Sequence, residues 1–359
     1  MLDTTYADTI YVTVPASWQG TSNLDVWARN AYKKFSFTDV AQLSVLDAVR
    51  HPSQTVALGV RAGDAAYDPA RNVMYFTEPD SARVAVLSLN TFTFGSPIPL
   101  PMVKRGLGFQ SVDIVPGGDT AIVALPDTSR LGLLDRLANT LKTTRISGIN
   151  GLGLMRVTAN RKALLVGQVD SAGYTFFAVV ERDLATGQDT IRRDVGQMGH
   201  VSITATLWGS PDHSKVLVLS TGAPSCGYVY DAATDTFSSC SAFGFNPASP
   251  ATATTNGDKW LVGSSLVDGS LNLLATVGNS SAGMSPDGSI AYVAAWYGYD
   301  KIALPSGALL ERVRIPMPGA VTAQRITVFP EGTRLFMWDD ANGTYSFGTN
   351  HATVVDLTH

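Results

Sequence analysis

Histidine, cysteine and serine are the residues through which proteins most readily bind a transition metal or activate a nucleophile. This sequence spaces them too widely for either task. No histidine forms a His-x-His or His-Glu-x-x-His pair, and no Gly-x-Ser-x-Gly elbow or Gly-x-x-x-x-Gly-Lys-Ser/Thr phosphate loop occurs. The patterns therefore predict no catalytic residue, no metal site and no cofactor. The five histidines stand at positions 51, 200, 213, 351 and 359.

The two cysteines predict a disulfide bond. Cys226 and Cys240 flank the segment CGYVYDAATDTFSSC, which is typical of a strand, a polar turn near Ala233 and Thr234, and a second strand. Folding this hairpin about its turn brings the two sulfurs nearly opposite each other. The alternative is a pair of reduced, half-buried thiols. A disulfide would indicate an oxidising compartment, so we expect a periplasmic or extracellular protein, with a cytoplasmic one as the alternative.

Charge and hydropathy narrow the classes of partner. The net charge is −4, and no stretch is rich in lysine or arginine, so nucleic-acid binding is not expected. No apolar run approaches the roughly 18 residues of a transmembrane helix. The start of the sequence, Met1-Leu2-Asp3, lacks the charged head and apolar stretch of a signal peptide. Either the protein is cytosolic or the sequence is that of a mature form, with peripheral association with a membrane complex left open.

The strands and turns that would position any functional site follow a repeat in the sequence. The segment MSPDGSIAYVAAW (284–296) places a turn directly before a short apolar strand, and a second apolar strand follows. Comparable segments recur about every 44 residues, which is the length of one four-stranded propeller blade. We therefore predict an all-β fold, a seven-bladed β-propeller over 51–359. The turn positions are Pro69, Pro116, Ala159, Pro211, Asn256, Pro286 and Pro330.

Two irregularities make the prediction more specific. Only 30 residues separate Asn256 from Pro286, so we expect the fifth blade to lack its outermost strand or to have a very short one. The last blade has only three predicted strands, whereas SQTVALGV (53–60) precedes the first blade without a partner. We expect this strand to complete the last blade and to close the ring.

The repeated residues also suggest a family. Ser-Pro-Asp-Gly, a strand such as IAYVAAW, and a strand leading into Ala-Thr-Gly or Ala-Thr-Asp resemble the YVTN and lactonase-like group of seven-bladed β-propellers. The resemblance covers 53–359, although Ala159 and Asn256 replace the turn proline. It implies the propeller fold and allows a lactone-opening or ring-cyclising activity. No residue matches a catalytic motif of the group that could be assigned by position.

Loops between the second and third strands of each blade would surround one mouth of the central channel. Among the residues placed there, Asp339 and Asp340 could bind a cation, since calcium prefers several oxygen ligands, or could simply cap loop amides. The aromatic residues Trp296, Tyr297 and Tyr299 could form a small-molecule or partner surface, or could pack between the sixth and seventh blades.

The first 50 residues do not follow the repeat and form a separate predicted unit. This extension is too aromatic for a disordered tail, and Tyr11, Trp18 and Trp27 are candidate anchors. It either packs along the propeller or docks onto another subunit.

Two functions follow. The first is a non-enzymatic binding or scaffold propeller, an exported subunit that docks onto a partner protein or envelope complex. The alternative is a lactonase-like hydrolase or isomerase, which would need a clustered acid, base or cation site at the channel mouth.

Overall fold

The computed structural model divides the chain into two units, Met1–Ala48 and Val49–His359. In the first unit it describes only the backbone of two short antiparallel strands, β1 (Ala28–Arg29) and β2 (Phe35–Ser36). The anchor candidates Tyr11, Trp18 and Trp27 lie outside the described residues. In the second unit it describes the following ranges: 51–58, 62–78, 81–101, 111–125, 129–171, 174–196, 199–202, 205–220, 225–242, 250–277, 282–295, 298–315, 325–338 and 351–358.

The second unit is a seven-bladed β-propeller, as the repeat predicts. Its first strand is β3 (Ser53–Ala57), which belongs to the last blade. Blade 1 contains β4 (Ala65–Asp68), β5 (Val73–Glu78), β6 (Arg83–Ser88) and β7 (Thr93–Phe94), with β8 (Ile98–Pro99) also beside β6. Blade 2 contains β9 (Val112–Ile114), β10 (Thr120–Leu125), β11 (Arg130–Asp135) and β12 (Thr140–Arg145). Blade 3 contains β13 (Ile149–Val157), β14 (Lys162–Ser171), β15 (Tyr174–Asp183) and β16 (Asp189–Ile191).

The remaining blades follow the same antiparallel order from the innermost strand outwards. Blade 4 contains β17 (Thr206–Gly209), β18 (Lys215–Ser220), β19 (Cys226–Asp231) and β20 (Thr236–Phe237), with β21 (Ser241–Ala242) also beside β19. Blade 5 contains β22 (Ala251–Ala253), β23 (Lys259–Val262), β24 (Ser265–Asp268) and β25 (Leu273–Thr276). Blade 6 contains β26 (Ala282–Met284), β27 (Ile290–Ala295), β28 (Gly298–Ala303) and β29 (Leu309–Arg314). Blade 7 contains β30 (Arg325–Val328), β31 (Arg334–Trp338), β32 (His351–Asp356) and β3.

Side-chain hydrogen bonds explain the repeated turn between the first and second strands. In blade 6 the Ser285 hydroxyl donates to the Asp287 carboxylate at 2.6 Å and accepts from the amide of Ile290 at 3.0 Å. Gly288 adopts φ 70°, a left-handed conformation that glycine adopts without strain. In blade 5 the Thr254 hydroxyl binds Asn256 at 3.2 Å in the same way. The hydroxyl and the Asp or Asn define this turn, so it forms without the proline that blade 5 lacks.

The hydrophobic core lies between the blades. The described buried residues form seven clusters, each joining two neighbouring blades around the ring. The cluster between blades 7 and 1 contains the fully buried aromatic side chains of Phe76, Phe329 and Phe336. Packing between neighbours stabilises every blade on both faces, and this requires a closed ring.

The ring closes as the sequence predicts. Strand β3 pairs antiparallel with β32, with Ser53 opposite Val355 and Ala57 opposite His351. The His51 ring bonds through Nδ1 to the backbone carbonyl of Asp356 at 3.0 Å. An early strand therefore forms the outer edge of the last blade, and backbone hydrogen bonds hold the closure.

Blade 5 is shorter than the other blades but complete. Its outermost strand, β25, is present with four residues and is longer than β7, β16 and β20, so the expectation of a missing or very short outer strand is wrong. The blade is shorter because its strands and one of its connections are short. All four of its strands have three or four residues, and only Gly263 and Ser264 connect β23 to β24.

The predicted disulfide is present. Cys226 and Cys240 are bonded, with their Cα atoms 5.3 Å apart. The turn between them forms through Asp231, whose carboxylate accepts a hydrogen bond from the amide of Ala233 at 2.8 Å.

We expect the double substitution Cys226→Ala and Cys240→Ala to lower the free energy of unfolding by about 3 kcal/mol, because the bond limits the conformational entropy of the unfolded chain. Urea unfolding with and without reductant tests this. Equal stability of the wild type with and without reductant would contradict it.

Candidate functional site

The central channel forms a large cavity at the end bordered by the turns between first and second strands. Its volume is about 1000 Å³, and residues from the inner part of all seven blades line it. The sequence pattern predicts the mouth of the channel at its other end. There the loops between second and third strands lie, at the opposite end of each second strand from these turns. Sequence reasoning therefore did not anticipate this cavity. Several turn prolines stand at its rim: Pro69, Pro116, Pro211, Pro286 and Pro330.

A buried carboxylate, Asp64, lies at the centre of the cavity floor. It precedes β4 and is 2% exposed. Its Oδ2 atom accepts hydrogen bonds from the Ser111 hydroxyl at 2.7 Å, from Arg156 Nη1 at 2.9 Å and from the amide of Val112 at 3.3 Å. Its Oδ1 atom accepts from Arg156 Nη2 at 3.4 Å and lies 3.7 Å from Arg325 Nη1. One carboxylate thus connects blades 1, 2, 3 and 7 across the channel.

Two tryptophans enclose the second arginine of the floor. The Arg325 guanidinium lies 4.9 Å from the ring centroid of Trp208 and 6.0 Å from that of Trp338. Arg156 approaches the same Trp208 ring at 5.8 Å. Cations over indole faces are attracted by the ring quadrupole, more strongly where water is excluded. We define the channel floor as Asp64, Arg156, Trp208, Arg325 and Trp338.

The charges of the floor determine its protonation. Burial by itself would raise the pKa of Asp64, but Arg156 and Arg325, with hydrogen bonds from Ser111 and Arg156, hold that pKa below its ordinary value. Burial opposes charge on Arg156 as well, yet Asp64 and Asp113 raise its pKa. The floor therefore keeps both charges at neutral pH.

Ion pairs also fix the cavity rim. Arg136 binds the buried carboxylate of Asp68 at 2.5 Å. Arg71 binds the same carboxylate at 3.2 Å and Asp119 of the next blade at 2.6 Å. These contacts hold the first-to-second-strand turns of blades 1 and 2 against each other. The mouth is thus preformed on this side of the channel.

The sequence-predicted site residues fall in two groups. Trp296, Tyr297, Asp339 and Asp340 lie outside the described residues, so their proposed role is untested. Tyr299 lies on β28 and is fully buried in the cluster between blades 6 and 7, with its ring 5.7 Å from that of Tyr292. Within the ranges that the structure describes, no group of three histidine, cysteine, aspartate or glutamate residues is placed to hold a metal ion.

A sequence signal for the floor does exist. Asp64, Ser111 and Arg325 each stand five residues before the turn position of their blade, and Arg156 and Trp208 stand three residues before theirs. Because side chains alternate along a strand, positions two apart share a face. Aligning the repeats on their turns would therefore have grouped these residues.

Comparison with known proteins supports the fold alone. No protein-family model and no curated protein sequence matches this chain. Among solved structures, the chain is similar to the β-propeller domain of Cps50 (Swd1) from Myceliophteria thermophila. The TM-score is 0.57 at 10% sequence identity, and the match covers 86% of this chain and all of that domain. No family model supports the specific resemblance to the YVTN and lactonase-like group.

Proposed function

We propose that this protein is a non-enzymatic binding propeller, an exported subunit that docks onto a partner protein or envelope complex. The channel floor is the observation that carries the proposal. Its guanidinium and indole groups are held by buried ion pairs and ring contacts beneath an open cavity, which is how a preformed binding site is built. Such a site holds most of its binding groups in place before a ligand arrives, which lowers the cost of binding.

The disulfide and the aromatic residues of the extension support the exported, partner-bound form of the proposal. The disulfide between Cys226 and Cys240 is typical of proteins in oxidising compartments. The described residues contain no helix with the length and hydropathy of a membrane span. The aromatic residues Tyr11, Trp18 and Trp27 of the extension are of the types that dominate binding energy at protein interfaces. We assign the partner contact to this extension.

The test is capture of a partner by the full-length protein from the envelope fraction of its native source. We expect one protein to be captured at a fixed stoichiometry and to be lost from the triple variant Tyr11→Ser, Trp18→Ser and Trp27→Ser. The matched control is Tyr174→Ser, because Tyr174 is an aromatic residue of the propeller that is 78% exposed. The control variant should capture the partner as the wild type does.

Two outcomes would overturn the proposal. If neither the wild type nor the control captures a protein at fixed stoichiometry, the docking role is wrong. If the purified protein opens a lactone ring with turnover, the lactonase-like alternative replaces it. Retention of the partner by the triple variant would move the contact away from the extension.

A further inference from the structure

Four buried polar groups beside the channel have no hydrogen-bond partner. Among the described side chains, these are the indole nitrogens of Trp208 and Trp338, the hydroxyl of Thr252 and the Nε of Arg136. All four residues line the central cavity. The two tryptophans are 8% and 5% exposed. A buried polar group without a partner is destabilising, so such groups in one place call for an explanation.

The acceptor on the channel floor does not supply the missing bonds. The Asp64 carboxylate accepts from Arg156, Ser111 and the amide of Val112, and neither indole nitrogen bonds to it. An indole nitrogen and a guanidinium can only donate, so the tryptophans and arginines of the floor cannot satisfy one another. The two indole donors are therefore available to an acceptor on a bound molecule.

A third tryptophan shows why the cavity matters. Trp260 also has a buried, unpartnered indole nitrogen, but it is fully buried in the cluster between blades 4 and 5 and does not line the cavity. One unpaired indole can therefore be a consequence of tight packing. Trp208 and Trp338 differ because the guanidinium of Arg325 lies against both rings.

Charge and shape indicate the class of molecule. Guanidinium groups and indole N–H groups together favour an oxyanion, and carboxylates fit guanidinium geometry well. Above the floor, the cavity lining contains the apolar side chains of Ile114, Val115, Met284 and Ile326 beside the ion pairs of the rim. A volume of about 1000 Å³ is larger than a bare carboxylate needs. The site therefore suits a charged head on an apolar body.

We infer that the channel floor binds the carboxylate of an amphiphilic organic acid, with the apolar body against the proline-rimmed wall. The carboxylate oxygens accept from the indole nitrogens of Trp208 and Trp338. Both nitrogens are buried and the guanidinium of Arg325 lies against both rings, so we expect this side chain to shift when the ligand enters. The inference rests on the proposed binding function and adds the chemistry of the ligand. Its source is either a free organic acid or the C-terminal carboxylate of a partner segment.

The test uses defined probes and isothermal titration calorimetry with the full-length protein, a readout that does not depend on the tryptophans. Acetate, hexanoate and octanoate are titrated together with octanol, which has the same apolar body without the carboxylate. We expect octanoate to bind at one site, hexanoate more weakly, and octanol about tenfold or more weakly than octanoate, since a charged hydrogen bond is lost. A leucine-terminated peptide with a free or an amidated C-terminus represents the partner-borne source.

Conservative variants test the assigned atoms. Phenylalanine keeps most of the ring and removes the N–H donor, so Trp208→Phe with Trp338→Phe should weaken octanoate binding about tenfold or more. Each single variant should weaken it less, and Trp338→Phe alone serves if the double variant melts early. Trp260→Phe is the matched control and should change the dissociation constant by no more than about twofold. Thermal melting of each variant establishes that it is folded.

Any of three results would overturn the inference. These are equal binding of octanoate and octanol, wild-type affinity in the double variant, and no saturable binding of either octanoate or the free-carboxyl peptide. If partner capture persists under these results, only the inference fails. If octanoate binds as expected but no partner is captured, only the docking role fails. Preference for the free-carboxyl peptide over octanoate identifies a partner-borne carboxylate.

Discussion

Replacing Asp64 with alanine is expected to lower the free energy of unfolding by about 3–5 kcal/mol, because it leaves a buried arginine without its carboxylate. Asp64 and Arg156 are both almost fully buried at the channel floor and form a direct ion pair at 2.9 Å. The same carboxylate accepts the Ser111 hydroxyl and the Val112 amide, which lose their acceptor as well. Equilibrium unfolding in urea measures the change.

The control for Asp64 is an aspartate of the same cavity that is exposed. Asp119 pairs with Arg71 at the rim, and its side chain is 63% exposed. Asp119→Ala should cost no more than about 1 kcal/mol, because solvent screens surface ion pairs. Equal effects of the two substitutions would mean that the floor does not depend on a buried charge.

The Asp64 carboxylate also predicts a direction for the effect of pH. Its pKa is held below the ordinary value of 3.8 in the folded protein. A carboxyl group with a lowered folded pKa adds stability at pH values above its unfolded pKa, and this stability is lost as the pH falls. We therefore expect the stability difference between wild type and Asp64→Ala to narrow below about pH 4. A difference that widens in acid would contradict the assigned role.

Truncating Phe336 to alanine is expected to cost about 3–5 kcal/mol, since it opens a cavity in the cluster that joins blades 7 and 1. Phe336 is fully buried. Its ring centroid lies 5.7 Å from that of Phe76 in blade 1 and 5.2 Å from that of Trp338. Loss of packing here acts on the closing interface of the ring. Thermal melting and urea unfolding report the change.

An exposed apolar residue provides the comparison for Phe336. Leu310 lies on β29, the outer strand of blade 6, and is 54% exposed. Leu310→Ala should alter stability by no more than about 0.5 kcal/mol. If Phe336→Ala were equally mild, the closing interface would contribute little to the stability of the ring.

Much of the fold could be predicted because its determinants are local. In blades 3 to 6 the turn combines a hydroxyl residue with an Asp or Asn, and the turn of each of the seven blades contains a residue with positive φ. Such turns recur about every 44 residues on average. Strand β3 could be assigned to blade 7 because it had no other partner. The strand content of blade 5 was less certain, since a short interval can result from a missing strand or from tight connections. Here Gly263 and Ser264 make the connection tight.

The channel floor was harder to predict because its residues come from distant parts of the chain. Asp64 and Arg325 lie in the first and last blades, and only ring closure brings them together. Each is an ordinary strand residue within its own repeat. The loops on the opposite end of the channel attracted attention because they are rich in aspartate and aromatic residues. Such residues are also typical of any loop.

The pairing of β3 with β32 has a consequence for how the chain is made. Thr55 bonds Thr353 across 298 residues of sequence. At about 5–20 residues per second, a ribosome needs on the order of 15–60 seconds to synthesise that interval. During this time strand β3 is available but its partner does not yet exist, while blades 1 to 6 can pack in order of synthesis. The nascent chain thus exposes an unpaired strand edge until β32 emerges.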